Sequence, residues 1–254
     1  MRLGIISALH EEQQGLVEAM QGPVKLIYGM REYTAGRIAG IDAVCVLSRI
    51  GKVAAATTAA VLIEKFGVTH VLFTGVAGAG DAGVKVGDIV VAESLLQYDM
   101  DCSPLFPRYE IPLTGLSHFA TDQYLSNVVA GAAYEFLETS FESVIEESER
   151  RNFHLTAPRV HRGLIASGDQ FISSAAVIGS LGAALPGLLA VEMEGAAVAQ
   201  VCFELGVPFA VLRTISDNAN EAAPTDFMRF MTAVASRYAF HIVMGFCQSV
   251  AAPR

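Results

Sequence analysis

The sequence predicts one α/β domain over residues 1–254, and three observations carry that expectation. Strand-length apolar runs alternate with helical patterns along almost the whole chain. Several of those runs are continuously apolar, as expected of strands covered on both faces. No repeat, linker or low-complexity tract interrupts them.

Taken in order, LGIIS within 2–7 reads as a strand, and a helix is expected over 10–20 with Glu11 and Glu12 near its positive end. Two β segments follow at 31–38 and 41–48, parted by a turn at Gly40-Ile41-Asp42. Lys52 to Phe66 has a helical pattern that Gly67 ends. Val68–Thr74 is an apolar strand running into GVAGAG at 75–80, and VGDIVVAES supplies the next. The stretch 98–118, with Pro104, Pro107 and Pro112, reads as loop, and 121–137 as helix. Residues 138–162 are charge-dense (EESERR at 146–151) and read as a solvated helix or excursion, away from any ligand. A strand at 163–167, a helix after Ser173, a strand at 188–193 and a helix at 195–205 come next. A strand at 208–215 and a long amphipathic helix at 223–250 close the chain.

Composition bounds the function. The chain is 52% hydrophobic and 17% charged, more apolar than a monomer's surface readily accommodates, so a large core and a subunit interface are both expected. Its apolar stretches are of strand length or broken by charge and glycine, so none is expected to reach the ~20 residues that span a bilayer. Glu11 and Glu12 behind a short apolar run do not resemble a signal peptide. A net charge of −9 argues against nucleic-acid binding. The four cysteines show no CxxC spacing and read as reduced thiols of a cytoplasmic protein. His10-Glu11-Glu12 is not a zinc-binding HExxH helix, so no metal is expected.

Three positions stand out because acids end apolar runs: Glu12, the pair Glu192 and Glu194 in LLAVEMEG, and Asp217 closing FAVLRTISD. Burying such groups is costly unless they are paired, bonded or neutral, and their pKa values are perturbed as acid–base chemistry requires. Each has a structural alternative. Asp217 suits an N-cap, and Glu194 suits a helix N-terminus. GVAGAG has the order GxxGxG rather than a dinucleotide fingerprint and reads as a tight turn with close backbone approach. SGDQFI at 167–172 reads either as a capped turn with two core residues or as a platform, with Phe171 stacking on a flat heterocycle and Ile172 reading its edge. Arg213 can fix a neighbouring carboxylate.

These blocks carry a resemblance. GIISALHEE, SRIGKVAAA, TGVAGAG, VGDIVVAE, SGDQFI, VEMEGAAVAQVC and LRTISD occur in the order seen in 5′-methylthioadenosine/S-adenosylhomocysteine nucleosidases, of the nucleoside phosphorylase/hydrolase superfamily. The resemblance implies a three-layer α/β/α sandwich with a central mixed, partly barrel-like sheet. It also implies a homodimer whose partner completes the site, and no cofactor. By position, it makes Glu12 the base that activates water and Asp217 the acid that protonates purine N7, with Ser216 and Arg213 as supports. Glu194 becomes the ligand of the ribose hydroxyls, with Met193 on the sugar and Glu192 supporting. Phe171 and Ile172 take the base, Ile50, Val76, Ala77 and Gly78 line the ligand, and Phe106 reaches into the partner's pocket.

Those residue types suit cleavage of an N-ribosidic bond, which builds cationic character on the sugar and negative charge on the base. Asp217 must then hold a proton near neutral pH, which a dry site favours. Glu12 must be ionised, which calls for a wetter or better hydrogen-bonded setting. The chain departs from the family at Val76, where Ser or Thr is frequent, at His10, where an acid is common, and in the length of 138–162. Phosphorolysis, a futalosine or aminofutalosine substrate, and non-catalytic nucleoside binding are the competing readings. The first is disfavoured because HVLFTG at 70–75 lacks a phosphate-holding arginine, and the last because all three acids are present.

Overall fold

A computed structural model describes residues 1–13, 15–219 and 223–252, the side chains of 223–226 excepted. Strand β1 (Arg2–Ser7) lies at the centre of the sheet, parallel to both β4 (Ile41–Leu47) and β5 (His70–Ala79). Its side chains alternate between two helical layers, Leu3 and Ile5 into one cluster and Ile6 into the other. This is why its sequence is apolar at nearly every position.

One layer holds α2 (Lys52–Glu64) and α7 (Gly195–Glu204). The other holds α3 (Gln123–Glu135) and α9 (Ser236–Ala251), each joined to a π-helical turn. Beyond β5 the sheet closes on itself. β6 (Ile89–Gln97) pairs with β8 (Val160–Ser167), β8 with β9 (Leu188–Glu192) after helix α6 (Ala175–Ala184), and β9 with β5. β10 (Phe209–Asp217), followed by α8 (Ala223–Phe230), joins β5 to β6, while the two-residue β7 (Phe119–Ala120) pairs with β6 outside this ring. The five strands form a small barrel, so the expected layered fold with a barrel-like sheet is what the chain adopts.

Several local expectations need correction. Helix α1 spans only His10–Gln13, because Gly15 adopts φ 84° and turns the chain; Gln14 lies outside the described residues. An unexpected strand, β2 (Gln21–Tyr28), pairs antiparallel with β3 (Arg31–Ile38) at the sheet edge. Every residue of β2 is exposed, so it has no buried face to announce itself in the sequence. The β3–β4 turn is Ala39-Gly40, both at positive φ, rather than Gly40-Ile41-Asp42.

GVAGA is no turn, since β5 runs through it to Ala79. Its glycines answer a close approach: a Cβ on Gly75 would sit 2.7 Å from Glu12 Oε1, and one on Gly78 would sit 3.0 Å from Asp217 Oδ1.

The 138–162 stretch continues α3 through the π-helical turn Phe136–Ser140 into α4 (Phe141–Val144) and α5 (Glu147–Asn152). Phe141, Ile145 and Leu155 pin it to the core while its charges stay outside. The helical run Phe227–Ala251 has 25 residues and a mean hydropathy of 1.2, long and apolar enough to cross a membrane by that measure. Its apolarity is core-facing, with Tyr238, Ile242, Val243, Phe246 and Cys247 all buried in the cluster it shares with α3.

Candidate active site

The carboxyl ends of β1, β5, β9 and β10 open onto one cavity, where α/β sheets commonly hold ligands. Glu12, Ile50, Val76, Ala77, Gly78, Phe171, Ile172, Glu192, Met193, Glu194, Ser216 and Asp217 line it. Twelve of the fourteen residues singled out from the sequence thus meet in one place, drawn from six separate segments.

Two do not. Arg213 lies beneath the cavity, 1% exposed, and Phe106 stays in the 101–118 excursion, outside the cavity of its own chain. Ala8, Leu9, Gln170, Val191 and Phe227 complete the lining. Phe227 packs edge-on against Phe171, with ring centroids 5.8 Å apart. Its helical spacing is that of any core aromatic, so the sequence carries no separate signal for it.

Glu12 is the third residue after the α1 cap and reaches back over the helix start. Its Oε2 accepts from the N–H groups of Ala8 (2.6 Å) and Leu9 (2.9 Å), and its Oε1 from Val76 N–H (3.1 Å). The setting is therefore not wet but dry and hydrogen-bonded, at 3% exposure. Burial wins: the carboxyl is held above its ordinary value, although Arg213 and the three N–H groups pull the other way. Oε1 keeps a lone pair for a further donor.

Glu192, rather than Glu194, serves the helix end. Its oxygens accept from the N–H groups of Gly195 (2.8 and 3.0 Å) and Glu194 (3.3 Å), and from Ser167 Oγ. Arg213 completes the set, with Nη2 2.6 Å and Nε 3.2 Å from Oε2. The guanidinium also lies 4.0 Å over the Phe73 ring and donates to the carbonyls of Phe73 and Leu212. Glu192 is thus a fully satisfied brace in the cavity floor.

Glu194, two residues on, turns toward the opposite wall. Its Oε1 accepts from Gly51 N–H at 2.7 Å, and burial with the neighbouring Glu192 charge raises its carboxyl well above the ordinary range.

That wall is tied down by ions. Lys52 Nζ lies 2.5 Å from Asp99 Oδ1, Asp99 Oδ2 accepts from Asp169 N–H (2.9 Å), and Asp169 Oδ1 accepts from Lys52 N–H (2.8 Å). The loop carrying Ile50 and Gly51 is thereby fastened to the loop carrying Phe171 and Ile172.

Asp217 owes its position to a bulge. β10 pairs Ile215 with Ala77 and then Asp217 with Gly78, leaving Ser216 as the extra residue. Ser216 Oγ donates to Asp217 Oδ2 at 2.8 Å, and Ala219 N–H donates to Oδ1 at 2.9 Å. The aspartate is 2% exposed.

Buried carboxylates lining one largely apolar cavity, at the strand ends of a closed mixed sheet, make a pocket suited to acid–base chemistry on a small molecule. The chain belongs to the phosphorylase superfamily, whose family model matches residues 2–245.

It is 35% identical over 245 residues to a 5′-methylthioadenosine/S-adenosylhomocysteine nucleosidase of Shewanella frigidimarina, covering 96% of this chain and 97% of that one. The same-named nucleosidase of Neisseria meningitidis, solved with methylthio-immucillin-A, superposes with a TM-score of 0.85 at 32% identity, covering 98% and 99%. A futalosine hydrolase of Helicobacter pylori superposes with a TM-score of 0.81, also at 32% identity, covering 96% and 97%.

Proposed function

We propose that the protein hydrolyses the N-ribosidic bond of 5′-methylthioadenosine or S-adenosylhomocysteine, releasing adenine and the 5′-thio-ribose. The observation that carries the reading is the convergence of Glu12, Glu194 and Asp217 on one cavity of a fold shared, nearly end to end, with nucleosidases.

In this reading the free lone pair of Glu12 Oε1 takes a proton from water as the water oxygen attacks C1′. The C1′–N9 bond breaks, and its electrons pass into the purine. Asp217, steadied by Ser216 and Ala219, delivers a proton to N7, so the base leaves neutral. Glu194 binds the 2′- and 3′-hydroxyls with the oxygen that Gly51 leaves free, and its negative form favours the cationic sugar. Phe171 and Phe227 flank the base, Ile172 reads its edge, and Met193 covers the sugar.

Hydrolysis fits better than phosphorolysis. No lysine or arginine lines the cavity among the described residues, and Arg213 is taken up by Glu192. A carboxylate at Glu12 would repel phosphate from the same space. The reaction needs no metal or organic cofactor. The working unit is a homodimer in which Phe106 enters the partner's cavity.

A futalosine-type substrate is the second reading, favoured by the Helicobacter pylori hydrolase at the same 32% identity. Adenine release from methylthioadenosine in phosphate-free buffer tests the first reading. Release that depends strictly on added phosphate would sink it.

A further inference from the structure

A second groove continues the cavity past Ala8, Leu9 and Ile50, which line both. At about 640 Å³ against about 140 Å³ for the cavity, it has room for an extended chain. Its walls carry Lys25, Arg31 and Arg49 against Glu18 and Glu32, with His10 beside them, on a protein of net charge −9. Lys25 and Glu32 neutralise each other at 2.9 Å. Among the described residues, neither Arg31 nor Arg49 has a carboxylate within 4.0 Å.

Both guanidiniums are held in place all the same. Arg31 donates to the carbonyls of Gly29 (3.0 Å), Ser48 (3.3 and 3.4 Å) and Ala54 (3.3 Å), and Arg49 Nη2 donates to Met30 O at 2.6 Å. Arg49 also sits at φ 69°, a left-handed conformation that strains a residue bearing a Cβ and that glycine adopts freely.

We propose that Arg49, together with Arg31, binds a carboxylate at the end of a substrate's 5′ substituent. The inference rests on the nucleosidase reading and deepens it. In that reading Glu194 holds the sugar hydroxyls through its bond to Gly51. The groove joins the cavity at Ala8, Leu9 and Ile50, so a 5′ substituent too long for the cavity extends past Ile50 and Leu9 into the groove. There it meets Arg49, the next residue back along the chain. A planar guanidinium suits a carboxylate's paired oxygens. Methylthioadenosine has no group to reach it. S-adenosylhomocysteine ends in an α-amino carboxylate and aminofutalosine in an aromatic one, and the carboxylate is the chemistry they share.

The test is kcat/KM for those three substrates with the wild type, Arg49→Gly, Arg49→Glu and Arg31→Gln, at low and high salt. Arg49→Gly removes the charge and the backbone strain together, so its melting temperature should equal or exceed the wild type's. It should lower the ratio of S-adenosylhomocysteine to methylthioadenosine turnover about fivefold, the weight of one exposed ion pair of ~1 kcal/mol. Arg49→Glu should lower that ratio further, and raised salt should lower it in the wild type. A parallel fall for aminofutalosine supports recognition of any carboxylate, and a fall for S-adenosylhomocysteine alone supports recognition of the amino-acid form. Ratios unmoved by all three variants overturn the inference while leaving the nucleosidase reading intact. No release from any of the three substrates overturns both.

Discussion

Arg213 and Glu192 form an ion pair with Nη2 and Oε2 2.6 Å apart, their side chains only 1% and 3% exposed. The pair braces the cavity floor and places a positive charge where it pulls down the carboxyls of both Glu12 and Glu194. A buried pair of this kind adds little over an apolar one, yet losing one partner strands the other's charge. Arg213→Leu should therefore cost about 3–5 kcal/mol in urea unfolding. Adding Glu192→Leu should recover part of the loss, and strictly additive costs would mean that the two side chains do not depend on each other.

Burial also gives the fold a pH signature. Glu12 and Glu194 both hold their protons more tightly in the folded chain than at their ordinary value of 4.5. The folded state then binds more protons than the unfolded state above that value. Stability from this source is fully present below pH 4.5 and is lost as pH rises through the raised values. Glu194→Gln cannot ionise, so unfolding free energy measured from pH 4 upward should fall less steeply in the variant than in the wild type. Identical slopes would show that Glu194 titrates as it does in the unfolded chain.

Gly75 is expected to be irreplaceable for activity. A methyl there would lie 2.7 Å from Glu12 Oε1 and 3.1 Å from its Cδ, forcing the carboxylate off its three N–H donors. Gly75→Ala should lower kcat on the order of 10²-fold, the usual penalty for ångström-scale misplacement. The melting temperature should move far less than the rate. Wild-type kcat in this variant would remove Glu12 from the chemistry.

How much of this was legible in the chain follows from what each residue does locally. Glu12, Glu194 and Asp217 were visible because acids at the ends of apolar runs need a reason to be there. Phe171 and Ile172 were visible through their block. The barrel was implied only by resemblance, because β10–β5 pairing joins residues about 140 positions apart and leaves no local pattern. β2 left none either, having no buried face. The pattern alone offered Glu194 for the helix end, a place that Glu192 takes, since spacing cannot say which carboxylate folds back onto the helix. Arg31 and Arg49 carry no such signal, since neither interrupts an apolar run of the kind that marks the acids.

The aromatic pair should govern affinity more than rate. Phe171 is 46% exposed and meets Phe227 edge-on, and both rings line the cavity. Phe227→Ala should raise KM for methylthioadenosine up to about tenfold through the lost ~0.5–1.5 kcal/mol of ring contact, with kcat nearly unchanged. A fall in kcat at constant KM would give Phe227 a role in the chemical step instead.

In the proposed reaction Asp217 hands a proton to the departing base from a position fixed by the Ser216 bulge. Single-turnover release of adenine from methylthioadenosine in phosphate-free buffer, comparing the wild type with Asp217→Asn, tests it most directly. The wild type should release the base in full, and the variant should lose about 10²–10⁴-fold in rate with substrate binding retained. Release by Asp217→Asn within a few-fold of the wild type would contradict it.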